Sequence, residues 1–180
     1  MRTTEIPASK LSHFIFANLN LSWLWLIVRI YIGYEWLIAG WEKFINPAWL
    51  GNAAGTAVKG FLSGALQKTT GSHPDVSAWY AYFIQHVAIP HTIIFSYLVT
   101  YGELAIGIAL ILGAFTGIAA FFGIFLNLNY LFAGTVSTNP LMLILQIFLI
   151  LAWRTAGWIG LDRYALPLLL QRTGKIFNKK

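Results

Sequence analysis

Arg29 and Glu35 on one apolar stretch, and Glu103 on the next, are the ionisable side chains most able to do chemistry, by moving protons or holding an anion. Such a charge costs roughly 2.5–3.5 kcal/mol at the centre of a membrane helix, so it is kept where it pairs, faces a wet cavity or handles a substrate. The site is expected between helices. Arg29 lies about 12 Å from the inner end of its stretch at 1.5 Å per residue, and Glu103 near the middle of its own. A structural Arg29–Glu103 pair is therefore one expectation, since removing either partner would leave an uncompensated charge. Glu35 sits about one and a half turns beyond Arg29, with Lys43 two turns further out. A carboxylate in a low-dielectric cleft suits a proton acceptor beside a reducible quinone or a conduit to the surface. Its structural alternative is a hydrogen bond to Tyr130, Asn127 or water. Trp36, Trp41, Glu42, Lys43 and Trp49 crowd the outer end of the first stretch, where Lys43 can hold an anion and Trp41 and Trp49 suit an interfacial aromatic belt.

Helical spacing sorts these residues into faces. Arg29, Gly33, Trp36, Gly40 and Lys43 share one stripe, and Tyr31, Glu35, Ala39 and Glu42 another, so Arg29 and Glu35 are no in-helix pair. The second stretch aligns Ser96, Thr100, Glu103 and Gly107. The third aligns Thr116, Ala120, Gly123, Asn127, Tyr130 and Gly134, and the fourth Gln146, Ile150, Trp153 and Gly157. Small and polar stripes of this kind let membrane helices approach closely and bond across the interface, a packing reading that covers Asn127, Asn129 and Gln146.

Of the 180 residues, 58% are hydrophobic and 10% charged, more apolar surface than a soluble domain of this size can cover. The expected fold is an all-α, four-transmembrane-helix bundle forming a single integral membrane domain. Its spans fall near 21–44, 93–112, 118–133 and 141–158, with an outer loop over 46–91 and a basic tail over 163–180. The N-terminus lacks a cleavable signal pattern and is expected to be retained. Arg2 and Lys10 before the first span, and Arg163, Arg172, Lys175, Lys179 and Lys180 after the last, predict both termini on the cytoplasmic side of a multi-pass protein. The net charge of +6 comes mostly from these ends and favours anionic membrane lipid over nucleic acid. Without cysteine the chain itself builds no dithiol relay, iron–sulfur cluster or thiolate metal site. His13, His73, His86 and His91 match no metal or haem spacing, and no dinucleotide fingerprint or P-loop lysine is found, so no metal, haem or flavin is expected.

The outer loop is too long to be structureless. Leu50, Ala54, Val58, Phe61, Leu62 and Ala65 recur at helical spacing, which predicts an amphipathic helix broken at Gly71-Ser72-His73-Pro74. Asp75 or Ser77 can cap a second helix carrying Trp79, Tyr80, Phe83 and Val87 and ended by Pro90, the two together forming an aromatic lid. Pro167 is expected to interrupt an interfacial tail.

Several runs resemble the DoxX family: Arg29-Ile-Tyr-Ile-Gly33-Tyr-Glu-Trp-Leu-Ile-Ala-Gly40-Trp-Glu-Lys43, Gly102-Glu103-Leu-Ala-Ile-Gly107 leading to Gly113-Ala-Phe-Thr-Gly117, Asn127-Leu-Asn129-Tyr130 through Asn139-Pro140, and Gly157-Trp-Ile-Gly160-Leu-Asp162. The charges and glycines match in order over nearly the whole chain. The resemblance implies a prokaryotic cytoplasmic-membrane protein. It also implies the activity of the DoxD-type large subunit of thiosulfate:quinone oxidoreductase, which works with a DoxA-type small subunit to form tetrathionate while reducing quinone. On that reading Glu35 and Glu103 deliver protons and Arg29 and Lys43 bind the dianion. Trp36, Asn127, Asn129 and Tyr130 hold quinone, the co-substrate. A non-catalytic quinone- or lipid-binding scaffold for a redox partner, and a small transporter working as a homo-oligomer, remain open beside it.

Overall fold

The computed structural model describes residues 9–172. Arg2, Lys175, Lys179 and Lys180, on which part of the expected orientation rests, lie outside the described residues. The first helix, α1 (Lys10–Ala17), is capped by the Ser9 hydroxyl and leads through a 3₁₀ turn into α2 (Ser22–Phe44). Two shorter helices follow, α3 (Thr56–Gln67) and α4 (Ala78–Phe83), at what we call the outer end. Then come α5 (Thr92–Leu112), α6 (Thr116–Phe132), α7 (Asn139–Leu151), the short α8 (Trp153–Ala156) and α9 (Asp162–Arg172).

Helix α2 packs on α5, α5 on α6, α6 on α7, and α7 returns to α2. The closest of these contacts is made by glycine. A Cβ on Gly107 would lie 2.6 Å from the Leu37 nitrogen, and one on Gly40 2.8 Å from the Leu104 nitrogen. Gly33 likewise meets Ile111. Backbones at this separation need residues without side chains, as membrane helices use them. These three glycines also fix an antiparallel register in which Gly40 lies opposite Leu104 and Gly33 opposite Ile111.

The polarity of the fold is inverted relative to a soluble protein. Arg29, Ser96, Thr100, Glu103, Asn127 and Gln146 are buried, while Trp23, Ile27, Ile93, Leu98, Phe121 and Phe125 are each more than half exposed. An exterior this apolar belongs in lipid. Two runs, Leu19–Phe44 and Ala78–Leu112, are long and apolar enough to cross a membrane. Thr116–Phe132 and Asn139–Leu151 are apolar but shorter.

Four expectations are corrected. Pro90 does not end a helix: a π turn at Ile84–Ala88 and a 3₁₀ turn at Ile89–His91 carry the chain from α4 into α5. Proline removes one backbone donor, and the wider and tighter turns around it absorb the mismatch. The fourth apolar stretch is not one helix to Trp158, because α7 ends at Leu151 and Ala152 separates it from α8. Pro167 lies within α9 rather than interrupting it. In the loop, Leu50 and Ala54 fall in turns, since the left-handed Gly55 delays the start of α3 to Thr56.

Candidate functional site

The buried charges form two separate clusters. At the outer end the last turn of α2 carries Lys43, whose ammonium lies 2.7 Å from Oε2 of Glu103. The Tyr130 hydroxyl, from α6, donates to Oε1 of the same carboxylate at 2.6 Å. Glu103 is 1% exposed and Lys43 18%. Lys43 also donates to the Ala39 carbonyl and stands 5.2 Å from the centroid of the Trp49 ring. Trp49 is held in place in turn, its carbonyl accepting from the Ser96 hydroxyl at 2.6 Å. The Phe61 ring, from α3, packs edge-on against Tyr130 with centroids 5.9 Å apart. An ammonium, a carboxylate and a phenol thus lie in contact beneath an aromatic cover. Such a chain can hold an anion at the ammonium once the carboxylate is neutralised, and can pass a proton between carboxyl and phenol.

At the inner end Arg29, 1% exposed, donates to the carbonyls of Ala156 at 3.2 Å and Ile159 at 2.8 Å. Asp162 accepts from the backbone N–H of Phe115 at 2.6 Å and of Thr116 at 2.8 Å, capping α6. A carboxylate at a helix N-terminus satisfies orphan donors and meets the positive end of the helix dipole. Gly113, in the left-handed region at φ 65°, and Gly160 leave room for the guanidinium, and a Cβ on Gly157 would run into the Asp162 carboxylate. The glycines of this stretch are therefore room for a clamp that ties the α5–α6 turn to the start of α9.

Between the clusters Asn127 donates to Gln146 Oε1 at 3.2 Å. Gln146 lies flat over Gly123, whose added Cβ would sit 2.9 Å from the same oxygen. Asn127 Oδ1, Gln146 Nε2 and the Trp36 indole nitrogen are buried without a partner among the described residues. At the outer end Asn129 accepts from the Tyr80 hydroxyl at 3.1 Å, and Lys68 donates to the Gly134 carbonyl at 2.6 Å. These bonds dock the lid helices onto the end of α6.

The structure therefore brings Lys43, Glu103 and Tyr130 together and separates Arg29 from them. The expected Arg29–Glu103 pair is not formed. Arg29 lies against Gly113, ten residues along α5 from Glu103 and so about 15 Å away. Glu35 bonds to neither Tyr130 nor Asn127, because both are engaged elsewhere. It is half-buried on the flank of α2, near the exposed Tyr31, Tyr34 and Ile38, with no hydrogen bond or ion pair among the described residues. Asn129 belongs to the lid contact, apart from Asn127. Asp162 was visible in its Gly-rich run, yet nothing local shows that it caps a helix beginning 46 residues earlier. Among the described residues, no three His, Cys, Asp or Glu side chains are grouped to hold a metal ion.

Long apolar helices with lipid-exposed side chains, closing over buried charge, define a helical membrane protein. The chain belongs to the DoxX family, whose sequence profile matches residues 24–136. That match covers α2, the outer helices, α5 and α6, and so includes Arg29, Lys43, Glu103 and Tyr130. Comparison with curated proteins and with solved structures gave no match.

Proposed function

We propose that this DoxX protein is the membrane component of a thiosulfate:quinone oxidoreductase, with all four apolar helices α2, α5, α6 and α7 crossing the membrane and the outer helices closing one mouth. The observation that carries the reading is the Lys43–Glu103–Tyr130 contact, a cation and a proton-carrying pair buried under Trp49 and Phe61. Two thiosulfate ions each give up one electron and join through a new S–S bond as tetrathionate. One quinone takes the two electrons and two protons and leaves as quinol.

Each residue then has a task. Lys43, released when Glu103 takes up a proton, binds the dianion beside Trp49. Glu103 and Tyr130 pass protons inward, and Glu35, on the lipid-side flank of α2, supplies a second route to a quinone arriving from the bilayer. Trp36 and Asn127, whose indole N–H and amide oxygen lack partners, line the quinone side; Asn129 acts only through the lid. Arg29 is taken from the substrate role given it by resemblance and serves as the inner clamp. A DoxA-like small subunit completes the enzyme at the outer mouth. The basic Lys10, Arg154 and Arg163 gather at the other end, which supports a cytoplasmic placing of both termini.

One observation favours a scaffold instead. Lys43 and Glu103 neutralise each other, as a purely structural pair would. The two readings separate in proteoliposomes given thiosulfate and a short-chain quinone, with and without a small subunit. The enzyme shows quinone reduction that falls at least about a hundredfold in Glu103→Gln, a typical proton-transfer contribution being 10²–10⁴-fold. The scaffold shows no turnover in any combination.

A further inference from the structure

We propose that the groove between the start of α6 and the α7–α8 break holds an acyl chain of an anionic phospholipid, with Arg154 binding its head group. The groove has a volume of about 420 Å³, the size of a small-ligand site, and opens to one side. It is lined mainly by Phe115, Ile118, Phe121, Ile150 and Trp153, and Thr116 and Asp162 border it. It exists because α7 stops at Leu151, so that α8 leaves the first turns of α6 without a neighbour of full length.

Two observations beyond the apolar lining point to a ligand with a polar end. Thr116 is 0% exposed, borders the groove and has a hydroxyl with no hydrogen-bond partner among the described residues. A buried hydroxyl in this state is left short of an acceptor at the edge of the groove. Phe115 is held at φ 50°, in the left-handed region that a bulky residue rarely adopts, and its half-exposed ring lines the groove. Strain of this kind persists where surrounding structure imposes it, often at ligand sites.

The charge around the groove selects the head group. The Arg154 guanidinium stands 5.0 Å from the centroid of Trp153, a wall of the groove, and Arg163 stands 5.5 Å from that of Trp158. Arginine stacked on tryptophan at the head-group level keeps its fork free for phosphate oxygens. The Asp162 carboxylate also borders the groove, but the N–H groups of Phe115 and Thr116 occupy it and Arg29 lies nearby. The site is independent of the redox reading: neither Arg154 nor the groove touches Lys43, Glu103 or Tyr130.

The test is native mass spectrometry of the delipidated full chain in detergent with phosphatidylglycerol, with phosphatidylcholine of the same acyl chains, and with glycerol phosphate alone. Wild type is expected to prefer phosphatidylglycerol by about fivefold, the worth of one basic residue near an anionic head group. Arg154→Gln should erase that preference, and Ile150→Trp, filling the groove, should abolish retention of both lipids. Ile118→Trp serves as a second groove-filling variant if Ile150→Trp fails to fold. Equal retention in wild type and a folded groove-filled variant would overturn the proposal. So would glycerol phosphate binding as well as the lipid, which leaves only surface charge, or cross-linking of a second copy through the groove.

Discussion

Lys43 holds its ammonium 2.7 Å from the Glu103 carboxylate, an ion pair that joins the last turn of α2 to the middle of α5. Charge placed there is costly unless matched, and each partner matches the other. The α2–α5 register set by Gly33, Gly40 and Gly107 makes the match possible.

Lys43→Met should therefore destabilise the protein by about 3 kcal/mol, the lower end of the range for breaking a buried pair, since Lys43 retains some exposure. Glu103→Gln should cost less, because its amide oxygen still accepts from Tyr130. The Lys43→Met/Glu103→Gln double variant should recover much of the loss. Unfolding of the purified protein in bicelles measures all three, and a strictly additive double variant would show that the two side chains do not interact.

Gly107→Ala and Gly40→Ala each push a methyl into the backbone of the facing helix, and a loss of about 1–3 kcal/mol is expected from such overpacking. Gly60→Ala and Gly64→Ala, in α3, meet nothing within 4 Å and should stabilise by about 0.5–1 kcal/mol through helix propensity. Thermal unfolding in one detergent reports the contrast in sign.

Asp162→Ala should free the N-terminus of α6 at a cost of about 1–2 kcal/mol for the lost cap, with more from the clamp it shares with Arg29. Hydrogen exchange distinguishes this from a general loss of stability. The amides of Phe115 and Thr116 should exchange faster while those of α3 are unchanged.

Much of the bundle was legible along the chain. The stripe through Arg29, Gly33, Trp36 and Gly40 is the buried face of α2, and Thr116, Ala120, Gly123 and Asn127 lie on that of α6. A helix in lipid turns its small and polar residues to its neighbours, so periodicity alone finds the face. Periodicity does not find the register between helices. Arg29 and Glu103 read as partners because depth along each helix says nothing of the register between the two. Gly33, Gly40 and Gly107 set the true alignment only once the backbones touch. The break at Ala152 was hidden for a similar reason: Gln146, Ile150, Trp153 and Gly157 continue the helical spacing through a point where the backbone does not. Pro90 misled in the opposite sense, since a π turn carries the chain past it.

The proposed separation of the charges into a reactive outer cluster and a structural inner clamp is tested most directly by thiosulfate-dependent quinone reduction in proteoliposomes carrying the chain with a candidate DoxA-like small subunit. Lys43→Gln is compared there with Arg29→Lys, each first shown to be folded. Lys43→Gln should abolish turnover while Arg29→Lys keeps it within about threefold of wild type, a barrier change under about 1 kcal/mol. Equal turnover in Lys43→Gln and wild type, or turnover lost only with Arg29, would contradict that separation.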